Sequence, residues 1–337
     1  MTERSKRPTI KELAEHTGLS PSAVSYALRG LQVSAETEAR VREAADEIGF
    51  RSDPIARALR GGATGTVGML VGSLADFFSQ ELVAAVQREL RAAERHVLIA
   101  DADGDPAREI ELARGLVDRR VDGLIVAPIG PRAEGWAEVA GDVPTVAIGD
   151  ELRGADTAAE VLFDNARGVA EVLRHLASLG HRRIGVLSWA LDQAPGRTAE
   201  RAVGEWAERL GIEVELITCA YSLNGSRPLA RDVLSAPNRP TALFALSDSI
   251  AFGVYVACQE LGLRIPEDIS VVGFDDHPIS RLLAPPLTSL DWNTPAVAAT
   301  AVRFLLAVLE EEPGDRTAVL RGTLRARGST GPAAASV

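Results

Sequence analysis

Eight short apolar runs set the terms for this chain. They lie at 67–71, 97–101, 122–126, 145–148, 183–188, 214–218, 241–245 and 269–273. Between them are longer stretches, near 78–94, 106–119, 165–179, 197–210, 227–236, 248–262 and 294–311, whose apolar residues recur at helical spacing. The short runs are predominantly apolar, which is the pattern of strands buried on both faces. Strands and helices in alternation predict a parallel sheet covered on both sides. Spacing alone leaves two architectures open, one eight-stranded barrel or two open sheets. At 337 residues the chain is long enough for more than one core.

The first sixty residues follow a different pattern. Residues 9–30 read TIKELAEHTGLSPSAVSYALRG. Thr9 with Glu12 three residues on is a capping box, and Ile10, Leu13 and Ala14 form an apolar stripe behind it. Gly18 breaks that helix. Ser20 caps a second, Pro21 occupies its first position, and Gly30 ends it. Val24, Ala27 and Leu28 face inward, which leaves Ser22, Tyr26 and Arg29 on one outward stripe. Ser22, Ala23 and Ser25 keep the start of this helix small, polar and free of acid. A helix entering the major groove needs such a face, because bulk or negative charge would be kept away from base edges by phosphate and sterics. The plainer alternative is a well-capped surface hairpin of two helices.

Two further segments weigh against the plain hairpin. A third helix is expected from about 35 to 48, with Ser34 as cap, Val41, Ala45 and Ile48 inside, and Gly49 as stop. Residues 50–62, FRSDPIARALRGG, predict a helix of under two turns, capped by Asp53 and Pro54. Such a helix is marginal alone in water. It is basic through Arg57 and Arg60 and apolar through Ile55 and Leu59, as expected of a segment that folds on a partner.

TIKELAEHTGLSPSAVSYALRG, VSAETEARVREAADEIGF and RSDPIARALR in that order resemble the head and hinge of the lactose-repressor-type (LacI/GalR) transcriptional regulators. The resemblance continues through VGMLV at 67–71, DFFSQEL at 76–82, DGLIVAP at 122–128, FDNARG at 163–168 and LGHRRIGVL at 179–187. It goes on through RAVGEW at 201–206, PTALFALSDSIAFG at 240–253, LRIPEDISVVGFDD at 263–276, APPLTSL at 284–290 and LRARGST at 324–330. It implies a small all-α helix-turn-helix head on an α/β body of two open parallel sheets, like a type I periplasmic binding protein. The implied domains are a DNA-binding head at 1–50 and a hinge helix with linker at 51–65. An N-terminal lobe follows from 66–163 with 293–321, and a C-terminal lobe from 164–292 with 322–337. The chain would cross between lobes near 163, 292 and 321.

The resemblance also implies partners: a near-palindromic double-stranded operator, a second copy of the chain, and a small polar effector between the lobes, for which a sugar is one candidate. DNA contacts would come from Thr9, Ser20, Pro21, Ser22, Ala23, Ser25, Tyr26 and Arg29. Ala56, Arg57 and Leu59 of the hinge would join them, with Leu59 as an apolar wedge between base pairs in the minor groove. Tyr26 and Arg29 stand where the family often has Arg and Asn, and Asp53 where Asn is usual, so base preference does not carry over.

Composition limits the other classes. No run of about 18 apolar residues predicts a membrane span, and MTERSKRPT lacks the apolar stretch of a signal peptide. Cys219 and Cys258 have no metal-like spacing and fit a reducing cytoplasm as buried small residues. The net charge of −11 argues against general attraction to nucleic acid. Basic groups are instead concentrated at Arg4, Lys6, Arg7, Lys11, Arg29, Arg51, Arg57 and Arg60. His16, His96, His175, His181 and His277 show no metal-binding spacing, and no cofactor is expected. His175 and His181 flank a helix end, where the helix dipole favours imidazolium. No dinucleotide, P-loop, nucleophile-elbow or zinc-protease motif supports an enzyme. The rival readings are a solute-binding protein of a transport system and an α/β enzyme acting on a sugar. No heptad tail follows LRARGST, so a tetramer is not expected.

Ligands of open α/β sheets sit beyond the carboxyl ends of strands. The residues there with sugar-binding chemistry, carboxylates, a guanidinium and aromatic faces, are the candidates. The family's effector positions fall on Asp76, Phe78, Arg201, Ser247 or Asp248, Asp275 and Trp292. Asp248 also suits a helix cap, Asp276 a turn, and of Phe77 and Phe78 only one can face inward. Trp189 follows a strand and can reach the cleft, without a family motif behind it. Gly149-Asp150 replaces a common Asp-Arg, and Ser247 a common Asn, so effector identity does not carry over.

Overall fold

The structure, a computed structural model, describes residues 8–28, 33–50, 63–189, 198–220 and 222–333. Contacts divide the chain into two units, Met1–Thr64 and Gly65–Val337.

The first unit contains α1 (Ile10–Thr17), α2 (Pro21–Ala27) and α3 (Ala35–Glu47). Their ends form as the local sequence dictates. Thr9 accepts the Glu12 N–H while the Glu12 carboxylate takes the Thr9 N–H, and Ser20 and Ser34 accept from Ala23 and Thr37. Gly18 closes α1 at φ +66°, a left-handed conformation that glycine adopts without Cβ strain. One core of Leu13, Ala14, Val24, Ala27, Val41, Ala44 and Ala45 joins the three helices, with Ile10, Leu28 and Ile48 packed on its margin. Arg29, Gly30 and the whole segment 51–62, with Ala56, Arg57 and Leu59, lie outside the described residues.

The second unit consists of two six-stranded sheets with helices on both faces, which excludes the barrel. The first sheet has β1 (Thr66–Val71), β2 (His96–Asp101), β3 (Gly123–Ala127), β4 (Thr145–Gly149), β5 (Ala159–Phe163) and β11 (Thr317–Leu320). All are parallel, in the order β11-β5-β4-β3-β1-β2. Around it lie α4 (Phe77–Ala92), α5 (Pro106–Asp118), α6 (Trp136–Asp142) and α11 (Thr294–Leu309). The second sheet has β6 (Arg183–Ser188), β7 (Glu213–Thr218), β8 (Ala242–Ala245), β9 (Ser270–Gly273), β10 (Thr288–Asp291) and β12 (Thr323–Arg325). Its order is β12-β10-β9-β8-β6-β7, antiparallel only between β10 and β12. Around it lie α7 (Asn165–Ser178), α8 (Thr198–Leu210), α9 (Leu223–Ser235) and α10 (Asp248–Leu261).

All eight apolar runs are strands, each within one residue of its expected bounds. Four strands and α6 were not foreseen. Each face of each sheet carries its own core. Val67, Met69 and Val71 pack on α4 and α11, while Leu70, Leu124 and Val126 pack on α5 and α6. The chain passes between sheets after β5, between β10 and α11, and between β11 and β12. Thus the carboxyl ends of both sheets and three connecting segments belong to the same region. No helix among the described residues is long and apolar enough to cross a membrane.

Candidate functional site

Two surfaces carry the predicted site residues. On the head, Val24 and Ala27 turn one side of α2 into the core. The opposite side presents Ser20, Pro21 and Ser22 to solvent, and Tyr26, 40% exposed. Ala23 and Ser25 are half-buried, and Thr9 is exposed at the start of α1. Of the predicted DNA contacts within the described residues, Thr9, Ser20, Pro21, Ser22 and Tyr26 are thus exposed. No acidic residue stands in the first turn of α2, so no side-chain charge there repels a phosphate.

In the body, the candidates fall into three groups. Asp76, Ser247, Asp248 and Asp275 come together at the carboxyl ends of β1, β8 and β9. Asp76 caps α4, with Oδ2 accepting the Ser79 N–H at 3.0 Å. Its Oδ1 accepts the Ser247 hydroxyl at 2.9 Å and the Ser249 hydroxyl at 2.7 Å, from the other sheet's layer. Ser247 is the cap of α10, accepting the Ser249 N–H at 3.1 Å. Asp248 does not cap that helix, correcting the sequence reading. Its carboxylate instead collects the Phe274 N–H (3.0 Å), the His277 N–H (2.8 Å) and the hydroxyls of Ser289 (2.6 Å) and Ser280 (2.5 Å). That approach requires glycine at 273, where a Cβ would lie 1.9 Å from Asp248 Oδ1. Asp275 Oδ2 accepts the Asp248 N–H at 2.9 Å. Burial of its carboxyl, then the nearby Asp76 and Asp248, push Asp275 well above the usual carboxylate range. Burial likewise raises Asp248, against the pull of its hydroxyl donors. Burial lowers His277, with Asp76 opposing. Asp276, expected in a turn, has φ +52° and is buried between Arg281 (2.9 Å) and Arg327 (2.5 Å).

Arg201 lies apart from these carboxylates. It is exposed on α8 and lines a cavity of about 840 Å³ with Asp150, Asn165, Phe163 and Thr198. Asp150 follows β4 and accepts the Thr198 hydroxyl at 3.2 Å, a second link between the two sheet layers.

The third group is aromatic. Trp292 is buried, stacks on Phe163 at 4.7 Å, and donates its indole N–H to the Phe274 carbonyl at 3.2 Å. Phe163 and Trp292 both stand where the chain leaves one sheet for the other, so this pair joins the crossing segments. Phe78 meets Phe163 edge-on at 6.0 Å and lines a cavity of about 60 Å³ with Trp189 and Ile129. Phe77 turns to Phe252 (5.5 Å) and to the His277 ring (5.2 Å). Trp189 lines this small cavity and another of about 250 Å³ with Ser73 and Cys219. Its place after β6 was the only sequence signal for it.

Ser249 and Thr198 were missed altogether, since serine and threonine at a helix start read as capping residues. His175 and His181 depart from expectation: burial lowers both, and His181 is held by Thr241, Ser270 and the Gly331 carbonyl. Loss of solvent outweighs the helix dipole there. Cys219 and Cys258 are buried, and burial pushes each thiol up to about 12. No group of His, Cys, Asp and Glu among the described residues could hold a metal ion.

A profile of the periplasmic binding protein-like domain family matches residues 173–330. The ribose operon repressor of Haemophilus influenzae is 29% identical over 320 residues, 94% of this chain and 96% of that protein. The HTH-type transcriptional repressor PurR of Vibrio atlanticus is 28% identical over 317 residues, covering 91% and 94%. Among solved structures, the Lac repressor dimer bound to operator and the anti-inducer ONPF superimposes with a TM-score of 0.84 at 25% identity, over 97% of this chain and 100% of that one. A LacI family regulator from Enterococcus faecium with bound ribose shares the fold of 79% of this chain, with a TM-score of 0.70 at 24% identity.

Proposed function

We propose that the chain is a regulator of the LacI/GalR family, an operator-binding repressor that works as a homodimer under the control of a small polar effector. Its relatives are repressors, not enzymes. The reading rests above all on α2, a helix with a sealed inner face and an open, acid-free N-terminal edge. Thr9, Ser20, Pro21, Ser22, Ala23, Ser25 and Tyr26 would approach the major groove, joined by Arg29. Ala56, Arg57 and Leu59 would enter the minor groove.

We assign the DNA-binding head to 1–50 and the hinge to 51–65. The N-terminal lobe comprises 66–163 with 293–321, and the C-terminal lobe 164–292 with 322–337. The three passages between sheets support these bounds. The effector would lie between the lobes, in reach of Asp76, Phe78, Arg201, Ser247, Asp248, Asp275 and Trp292. Carboxylates and a guanidinium beside aromatic faces suit a sugar-like ligand. The edge strands β2 and β7 leave Leu98, Ile99 and Leu216 38%, 43% and 44% exposed, surface that a second copy would cover. A cytoplasmic location follows from the proposed role on DNA.

The effector acts by binding the open and closed lobes with different affinity, which shifts the operator-competent population. Fluorescence anisotropy tests the proposal with two duplexes, a palindrome from the chain's own upstream region and a scrambled control, titrated with salt. The expected result is a gap of ~10³-fold or more with a steep salt slope. Equal affinity for both, with and without a metabolite mixture, would refute it.

A further inference from the structure

The cleft is fastened across its middle. Asp76 divides its carboxylate between two tasks, with Oδ2 satisfied inside its own lobe by the Ser79 N–H and hydroxyl at 3.0 and 3.3 Å. Oδ1 is turned to the opposite lobe, where it receives both the Ser247 and the Ser249 hydroxyls at 2.9 and 2.7 Å. A third bond returns the other way, from the Phe77 N–H to Ser249 Oγ at 2.8 Å. Ser249 is thus donor and acceptor to the same turn of the facing lobe. Asp76, Ser247 and Ser249 are each at most 1% exposed. Hydrogen bonds to a carboxylate in such a site are stronger than in water, because no solvent competes and the charge is not screened. The Phe77 ring, next in the chain to Asp76, packs on the Phe252 and His277 rings of the opposite lobe at 5.5 and 5.2 Å.

We infer that Asp76, Ser247 and Ser249 form a clasp that holds the two lobes together before any effector arrives. Ser249 is its positioning residue. A carboxylate oxygen already holding two hydroxyls is arranged as it would be for the neighbouring hydroxyls of a polyol. An effector entering the proposed site would therefore exchange its own hydroxyls for those of the serines. Occupancy of the cleft and release of the clasp become one event, which gives the effector the differential contact that a population shift requires. This last step rests on the effector reading above, whereas the clasp itself does not.

Two measurements on the full chain, without ligand, test the clasp. Ser249→Ala removes one hydroxyl and leaves the Ser247 cap of α10 in place. Small-angle X-ray scattering should show a larger radius of gyration for Ser249→Ala than for the parent, with a thermal transition still well above the measuring temperature. Superimposable scattering curves would overturn the clasp. In the parent, the Phe77 amide should exchange its hydrogen as slowly as amides of the buried strands. Exchange at the rate of an exposed loop would overturn it equally, even if the variant failed to fold. The operator assay separates the two ideas, since a chain that binds operator specifically but shows neither effect is a repressor without a clasp.

Discussion

Leu13→Ala should detach DNA binding from the rest of the molecule. Leu13 is completely buried in the head core. Of the seven side chains in that core only Leu13, Val24 and Val41 are larger than alanine, so little can move in to fill the space. Leucine-to-alanine changes at such sites cost about 2.7–5 kcal/mol, more where collapse is poor. The head unit runs from Met1 to Thr64. At roughly 0.05–0.15 kcal/mol per residue such a unit has only about 3–10 kcal/mol of stability in total. One substitution therefore removes a large share of it, and at the lower end all of it. Apparent operator affinity falls in proportion to the folded fraction. We expect at least a tenfold loss at 25 °C by anisotropy, partly recovered at high DNA concentration because operator stabilises the folded head. The transition of the body, with its separate cores, should not move. Unchanged operator affinity together with an unchanged head transition would refute this account of the head core.

Arg201→Ala should leave the body's stability within about 0.5 kcal/mol, because the side chain is exposed on α8. It should abolish the effector response while operator binding persists, and a normal response would remove Arg201 from the site. Asp248→Ala should cost at least about 2 kcal/mol in urea unfolding, since it strips two backbone N–H groups and two hydroxyls of their acceptor. A loss under about 1 kcal/mol would contradict its structural role. For Asp275 the pKa is raised on folding, so its favourable contribution is full below the ordinary value of 3.8 and is lost as pH rises through the elevated folded value. The stability of the parent relative to Asp275→Asn should therefore fall with rising pH across that window. Parallel pH profiles would refute the assignment.

The parts of this fold that could be read from sequence were those with one dominant local cause. Strands such as Thr66–Val71 are buried on both faces, and their apolar run survives in any sequence that folds this way. The caps Thr9, Ser20 and Ser34 act within three residues, so their chemistry is visible in a short window. The missed elements lack such a cause. β5, AEVLF, has a glutamate at its second position, and β12 is three residues long and exists by pairing with β10. α6 starts at Gly135 with φ +111° and no side-chain cap, and is held by the fully buried Trp136.

The site was legible as positions but not as pairings. Strand ends marked Asp76, Ser247, Asp248 and Asp275 alike, because sequence records where a carboxylate is and not which donors converge on it. The structure separates two of them by the origin of their partners. Asp248 has four donors from its own lobe, so both its oxygens are satisfied whether the lobes stand together or apart. Asp76 has one oxygen held within its own lobe and the other holding two hydroxyls from across the cleft. When the lobes part, Asp248 keeps its bonds, whereas Asp76 Oδ1 loses the two serine hydroxyls. A ligand that supplies those hydroxyls recovers the lost bonds without requiring the lobes to close in the same way. Asp76 can therefore couple occupancy to lobe geometry, while Asp248 fixes the framework against which the lobes move.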